Sequence, residues 1–283
     1  MDKREIIKLA ADFVENSVDN YINKEIAISE NLIGMKIFDS PLVGFALATD
    51  EYFGLFKDPT VIGAHFILPL EWLPSAKSVI SYFLPYSEIV KKANREKEFW
   101  PAEAWLHGRA EGQALINKLG NYLNSELINA GYMSLVPSLD TRYKSQIGFD
   151  SQIQAEAMYT SNWSERHAAF VCGLGTFGLS KGLLTQKGVA GRFGSIITEL
   201  VMEPDKRTYT SIYEYCLMCG ACVKNCPVGA ISFEQGKNHQ ICSDFLDTTA
   251  EKFPPRYGCG KCQVGVPCES SIPTRCVEKA NGS

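Results

Sequence analysis

Cys216-Leu-Met-Cys219-Gly-Ala-Cys222-Val-Lys-Asn-Cys226-Pro227 is the stretch that decides the reading of this chain. Its gaps of two, two and three residues, closed by proline, are the spacing with which bacterial segments hold 4Fe-4S clusters. Two-residue gaps let one tight loop set three thiolates on three corners of a cube, and the fourth cysteine leaves in another direction to ligate a second cluster. That second cluster needs three more thiolates. Cys242, Cys259 and Cys262 supply them, the last two within Gly258-Cys-Gly-Lys-Cys262. The first cluster then needs a fourth ligand, for which Cys268 is the best placed and Cys276 the reserve. The allotment is Cys216, Cys219, Cys222 and Cys268 for one cluster, and Cys226, Cys242, Cys259 and Cys262 for the other.

Working outward, nine of the ten cysteines fall between Cys216 and Cys276. With no secretory signal ahead of them, clustered thiols bind metal more often than they form disulfides. Two four-thiolate zinc sites are the competing reading, but zinc sites use separated pairs and leave the triple run with its proline unexplained. Cys172, alone in an apolar stretch, reads as an inert buried thiol.

The rest of the 283 residues carry 45% hydrophobic and 11% aromatic side chains, enough for a sizeable core and one or two domains. Twenty-eight Lys and Arg against 32 Asp and Glu leave a net charge of -4, and residues 200–283 hold nine of each sign. No global positive field therefore exists to hold nucleic acid by counterion release, and a nucleic-acid partner is not expected. No apolar run reaches the roughly 18 residues that span a bilayer, since Val61 to Leu73 contains His65, Pro69 and Glu71. The N-terminus, with Asp2, Glu5, Asp12 and Glu15, has no signal-peptide pattern. A soluble, cytoplasmic protein without membrane contact is expected.

Ile6, Ile7, Ala10, Phe13, Val14, Val18 and Ile22 predict an amphipathic helix over 3–22. Leu42 to Leu47 and Val79 to Leu84 read as buried strands bounded by prolines. A second helix is expected from about Arg109 to Ala130, stopped by Gly131, with a strand at 132–136 after it. The alternation continues to about Leu200, after which the sequence turns irregular and cysteine-rich. The fold class expected is α+β: an α/β layer domain over residues 1–208, followed by a ferredoxin-like module with two 4Fe-4S clusters over 209–283.

Gly173-Leu-Gly175-Thr-Phe-Gly178 satisfies G-x-G-x-x-G, but the flanking strand and helix that a dinucleotide site needs are missing, so a close-packing turn is the reading on pattern alone. This segment, then Gly194-Ser195-Ile-Ile-Thr-Glu-Leu200 with Glu203-Pro-Asp205, then the cysteine run closing in Pro-Val-Gly-Ala-Ile231, and finally Tyr257-Gly-Cys-Gly-Lys-Cys-Gln263, resembles the epoxyqueuosine reductases in order and approximate spacing. Ala76-Lys-Ser-Val-Ile80 through Pro85-Tyr86 resembles an early strand of that family. The same arrangement is shared with the reductive dehalogenases.

The resemblance implies a cobalamin held base-off between the domains and reduced through the two clusters, with Gly173, Gly175, Gly178, Gly194 and Ser195 as cofactor-binding candidates. It implies an oxidoreductase suited to anaerobic chemistry, fed by a low-potential donor such as a ferredoxin or flavodoxin, acting on a small molecule or a modified nucleoside. The chain departs from the family where an aspartate is thought to donate a proton. That register holds Tyr159, and reductive dehalogenases use a tyrosine, so Tyr159 is one catalytic candidate. Glu165, where the family has a glutamate, is the second. Five residues separate Cys262 from Cys268 where the family usually has three, and the chain ends fifteen residues after Cys268, short of the helical-repeat extension that helps longer members hold tRNA. An electron carrier or corrinoid-reducing activator with no substrate of its own is the alternative. Epoxyqueuosine reduction itself ranks third, against the missing acid, the short C-terminus and the charge balance.

Overall fold

The computed structural model describes residues 1–147 and 159–274. Its helices are α1 (Lys3–Asn16), α2 (Glu51–Leu55), α3 (Pro69–Trp72), α4 (Glu88–Arg95), α5 (Glu103–Asn129), α6 (Glu165–Val171), α7 (Ala221–Lys224) and α8 (His239–Lys252). Its strands are β1 (Leu42–Leu47), β2 (Ser78–Pro85), β3 (Ser134–Leu135), β4 (Ser145–Ile147), β5 (Tyr159–Ser161), β6 (Gly175–Phe177), β7 (Leu183–Thr185), β8 (Gly191–Thr198), β9 (Ile231–Ser232) and β10 (Gly236–Lys237).

α1 starts at a capping box, in which Asp2 accepts the Glu5 amide at 2.9 Å and Glu5 accepts the Asp2 amide at 2.6 Å. It stops at Asn16, six residues short of the helix expected to Ile22. The cause is Asn20, whose buried amide donates to the carbonyls of Val14 and Phe38 and accepts the Phe38 N–H. Those bonds turn the chain inward. α5 begins six residues earlier than expected, because Ala104, Trp105, Leu106, His107 and Gly108 are all buried and a helix turn buried all round has no amphipathic signature. Its end agrees with the sequence, Gly131 taking a left-handed φ of +90°.

The main sheet is antiparallel, in the order β1-β2-β8-β3. Both strands expected at 42–47 and 79–84 are present, and every residue of β2 is buried. Side-chain alternation sends Ile80, Tyr82 and Leu84 into one core, with Leu115, Leu119 and Leu123 of α5, and sends Val79 and Phe83 into another, with Ala168, Phe170 and Val171 of α6. The sheet thus separates two apolar cores.

The cysteine-rich part has far less apolar interior, its buried hydrophobics being Tyr209, Ala230, Ile231, Phe245, Val264 and Val266 among the described residues, with Val266 packing on Leu184 and Val189 of the preceding segment. It is fastened to α4 and α5 by polar contacts instead. Arg256 pairs with Glu111 at 2.6 Å and donates to the Ile26 carbonyl at 2.8 Å, and Arg95 pairs with Glu269. The buried Lys261 ammonium donates to the carbonyls of Asn94 at 2.7 Å and Lys97 at 2.6 Å. Beside it Gly260, at φ +70°, lies so close to Trp105 that a Cβ there would sit 1.9 Å from the indole. Among the described residues no helix is long and apolar enough to cross a membrane.

Candidate metal centres and active site

The thiols gather into two groups of four. Cys216, Cys219, Cys222 and Cys268 line a small cavity of about 20 Å³. Cys226, Cys242, Cys259 and Cys262 line part of a much larger one, about 540 Å³. The turns that bring the first three together need left-handed backbone at Met218, φ +50°, and Gly220, φ +74°. Cys268 comes from the far end of the chain. Its neighbour Glu269 fixes it, accepting from Arg95 and from the Gly265 amide.

Burial pushes Cys268 and Cys259 up to about 12 and Cys222 to about 11, and the neighbouring thiols of each group push the same way. Iron reverses this, since a coordinating thiol is deprotonated outright. Cys222 of one group also feels Cys262 of the other, so the two groups adjoin. The Ala230 amide donates to Cys226 Sγ at 3.1 Å, the kind of N–H···S bond that tunes a cluster potential. Among the described residues no three His, Cys, Asp or Glu side chains converge as one ion requires. Four thiols around a cavity instead suit a polynuclear cluster, and the residues present fit that group. Cys276 lies outside the described residues. Cys172 is buried against β2, donating to the Val79 carbonyl at 3.4 Å, and burial raises its thiol far above the ordinary range.

The large cavity lies between the cysteine-rich half and the sheet. Its wall includes Trp105 and Arg109 of α5, Trp163, Glu165 and Arg166 around the start of α6, and Gly191, Arg192 and Phe193 of β8. Both carboxylate oxygens of Glu165 are shut off from solvent with no hydrogen-bond partner among the described residues. Burial lifts this carboxyl to about 7, against the pull of Ser195, Ser138 and Trp163, which stand near without forming a well-aligned bond. An acid in that range exchanges its proton at neutral pH. Ser195 instead accepts the Trp163 indole N–H at 2.9 Å. That indole stacks between Phe53 and Phe66, which holds the floor of the cavity rigid.

The glycine candidates take other places. Gly173, at φ +79°, ends α6, and Gly175 is pressed on the β7 backbone, where a Cβ would meet the Leu184 carbonyl oxygen at 1.9 Å. Gly178 lines the small thiol cavity, and Gly194 lies against the Tyr82 ring. Neither Ser195 nor any of these four glycines is among the residues lining the large cavity. Tyr159 opens β5 opposite Ile147, with only its backbone described. The arginines of the wall had no place in the sequence reading. They come from three distant elements and share no local pattern.

Residues 209–232 match the family model described as 4Fe-4S binding domain. Over 68 residues the chain is 38% identical to the tetrachloroethene reductive dehalogenase of Desulfitobacterium hafniense, a match covering 24% of this chain and 12% of that protein. A catabolic reductive dehalogenase solved with 3-bromo-4-hydroxybenzoic acid aligns over 96% of this chain and 37% of its own, with a TM-score of 0.52 at 14% identity. Epoxyqueuosine reductase, solved with an epoxyqueuosine-modified tRNA stem loop, aligns over 94% of this chain and 65% of its own, with a TM-score of 0.50 at 19% identity. The fold is that of epoxyqueuosine reductases and reductive dehalogenases. The chain spans only about an eighth of the curated dehalogenase, 12% of its length.

Proposed function

We propose that this protein is a cobalamin-dependent reductase that passes electrons through two 4Fe-4S clusters to a base-off corrinoid in the large cavity. On this reading residues 1–208 hold cofactor and substrate and residues 209–283 deliver electrons. The observation that carries it is a juxtaposition: the Cys226, Cys242, Cys259 and Cys262 group and the proton-bearing Glu165 border one cavity. A corrinoid suits that space, bounded by the aromatic side chains of Trp105, Trp163 and Phe193. Among the described residues no histidine lines it, which fits a cofactor without a protein lower ligand. When bound, the corrinoid would supply a strongly nucleophilic reduced metal centre.

The chain's own residues do the rest. Cys219 is exposed, near Met218 and Phe233, which are exposed apolar side chains, so a low-potential ferredoxin or flavodoxin would deliver electrons at this end. The adjoining Cys222 and Cys262 groups would pass them inward. Glu165 holds a proton on its carboxyl at neutral pH and gives it to the reduced substrate, while the surrounding aromatic wall keeps water from competing. The substrate is a small electrophile or a modified nucleoside.

Anaerobic reconstitution followed by equilibrium dialysis tests this reading. Retention of micromolar cobalamin with a base-off cob(II)alamin resonance is expected, and retention without it would require another ligand geometry. Intact clusters with no corrinoid retained would leave an electron carrier or activator.

A further inference from the structure

Arg109 of α5, Arg166 at the start of α6 and Arg192 of β8 all line the large cavity. Arg109 and Arg192 are half-buried, and Arg166 stays accessible within the cavity. Among the described residues none of the three is paired with a carboxylate. Arg109 donates to the Tyr257 hydroxyl at 2.9 Å and lies over its ring, and Arg192 donates to the Gln113 side-chain oxygen at 3.1 Å. Half-buried arginines elsewhere in this chain do have carboxylates, Arg207 with Asp50 and Arg256 with Glu111.

The three also work against one another. Burial lowers Arg109 and Arg166, and the charge of Arg192 lowers both further. Glu165 does not relieve this, since burial raises its carboxyl where an adjacent arginine would depress it. The cysteine group in the cavity wall acts on Arg166 through Cys262 and Cys242, whereas no cysteine figures among the groups acting on Arg109. Three like charges around one cavity, none of them paired with a carboxylate among the described residues, cost stability unless something anionic enters between them. Guanidinium forks are suited to the paired oxygens of phosphate or carboxylate.

We propose that Arg109, Arg166 and Arg192 form an oxyanion-binding wall that holds a phosphate or carboxylate group of the cavity's ligand. The proposal deepens the cobalamin-reductase reading by giving the ligand a charge, but its first test needs no corrinoid. The oxyanion has two possible sources, the phosphodiester in the nucleotide loop of a complete corrinoid or an anionic group on the substrate.

The cluster-loaded, corrinoid-free protein is titrated calorimetrically with sodium phosphate, against sodium chloride at matched ionic strength. Phosphate binding is expected, weakened about tenfold or more in Arg109→Gln and Arg192→Gln, the scale for losing a hydrogen bond to a charged group. The unliganded variants should melt no lower than wild type, because repulsion has been relieved. Arg192→Lys keeps the charge without the fork and covers the case in which a glutamine variant does not fold. It too should bind phosphate more weakly than wild type. The proposal is overturned if phosphate binds no better than chloride, or if the variants bind it like wild type. It is equally overturned if they shift only the cluster midpoint potential, which would make the arginines counter-charges to iron-sulfur. Cobalamin and cobinamide, which lacks the phosphodiester, then identify the source. Weaker cobalamin but unchanged cobinamide binding in Arg192→Gln assigns the wall to the corrinoid, and equal binding of both assigns it to the substrate. Phosphate binding without any corrinoid retention would sink the cobalamin reading and leave the oxyanion wall standing.

Discussion

Glu165 is where a single residue carries the most testable consequence. Its carboxyl is raised to about 7 from an unfolded value near 4.5. Folding therefore favours the protonated form, and the stability this gives is full below the unfolded pKa and lost as pH rises through 7. Glu165→Gln should remove that loss. Its unfolding free energy, compared with wild type from pH 5.5 to 8, should show an advantage that grows with pH and approaches roughly 3 kcal/mol at most by linkage. A constant offset across that range would mean the carboxyl is not sequestered. In corrinoid-loaded protein the same substitution should slow turnover by about 100-fold, the usual scale for a general acid, with corrinoid affinity unchanged.

Among the elements, the two ligand-bearing turns make separate predictions. A Cβ at Gly260 would overlap the Trp105 ring, and a left-handed φ of +70° disfavours any L side chain. Gly260→Ala should cost about 2 kcal/mol or more and loosen the site of Cys259 and Cys262, read as iron loss by chelator titration. Cys268→Ser should lose or convert the other cluster alone, which electron paramagnetic resonance of the reduced protein resolves. Loss of neither cluster would reassign the ligand to Cys276. What the sequence disclosed about these elements follows from how local each signal is. The cysteines were legible because cluster ligation fixes their spacing, and β1 and β2 because short apolar runs ended at prolines. The start of α5 was hidden because its first turns are buried all round, and the end of α1 because a single asparagine, Asn20, bonds across to Phe38. The wall of Arg109, Arg166 and Arg192 was beyond reach, since only the folded chain brings three such distant positions together.

At the level of the whole molecule, the contrast between two large cores and a cysteine-rich part with few buried apolar residues has a thermodynamic reading. The cysteine-rich part is therefore expected to draw much of its stability from metal. About eight iron atoms per chain are expected from eight thiolates in two 4Fe-4S clusters. Stripping them with chelator should split one calorimetric transition into two, the first melting residues around α7 and α8 and the second the sheet. A single unshifted transition after complete iron removal would show that the polar contacts of Arg256, Arg95 and Lys261 hold that half unaided.

The register of β2 against β8, Ser78 opposite Thr198 and Pro85 opposite Gly191, also sets an order of events during synthesis. β2 emerges early, pairs with β1 and lacks β8 on its other edge until the chain has been made through Thr198. Every cysteine of the two groups lies beyond that point, so the scaffold can close before the first of these thiols leaves the ribosome. On the two-cluster reading iron and sulfide would then meet a segment that docks late on a finished sheet, and the long wait of β2 for β8 is the expected slow step in maturation.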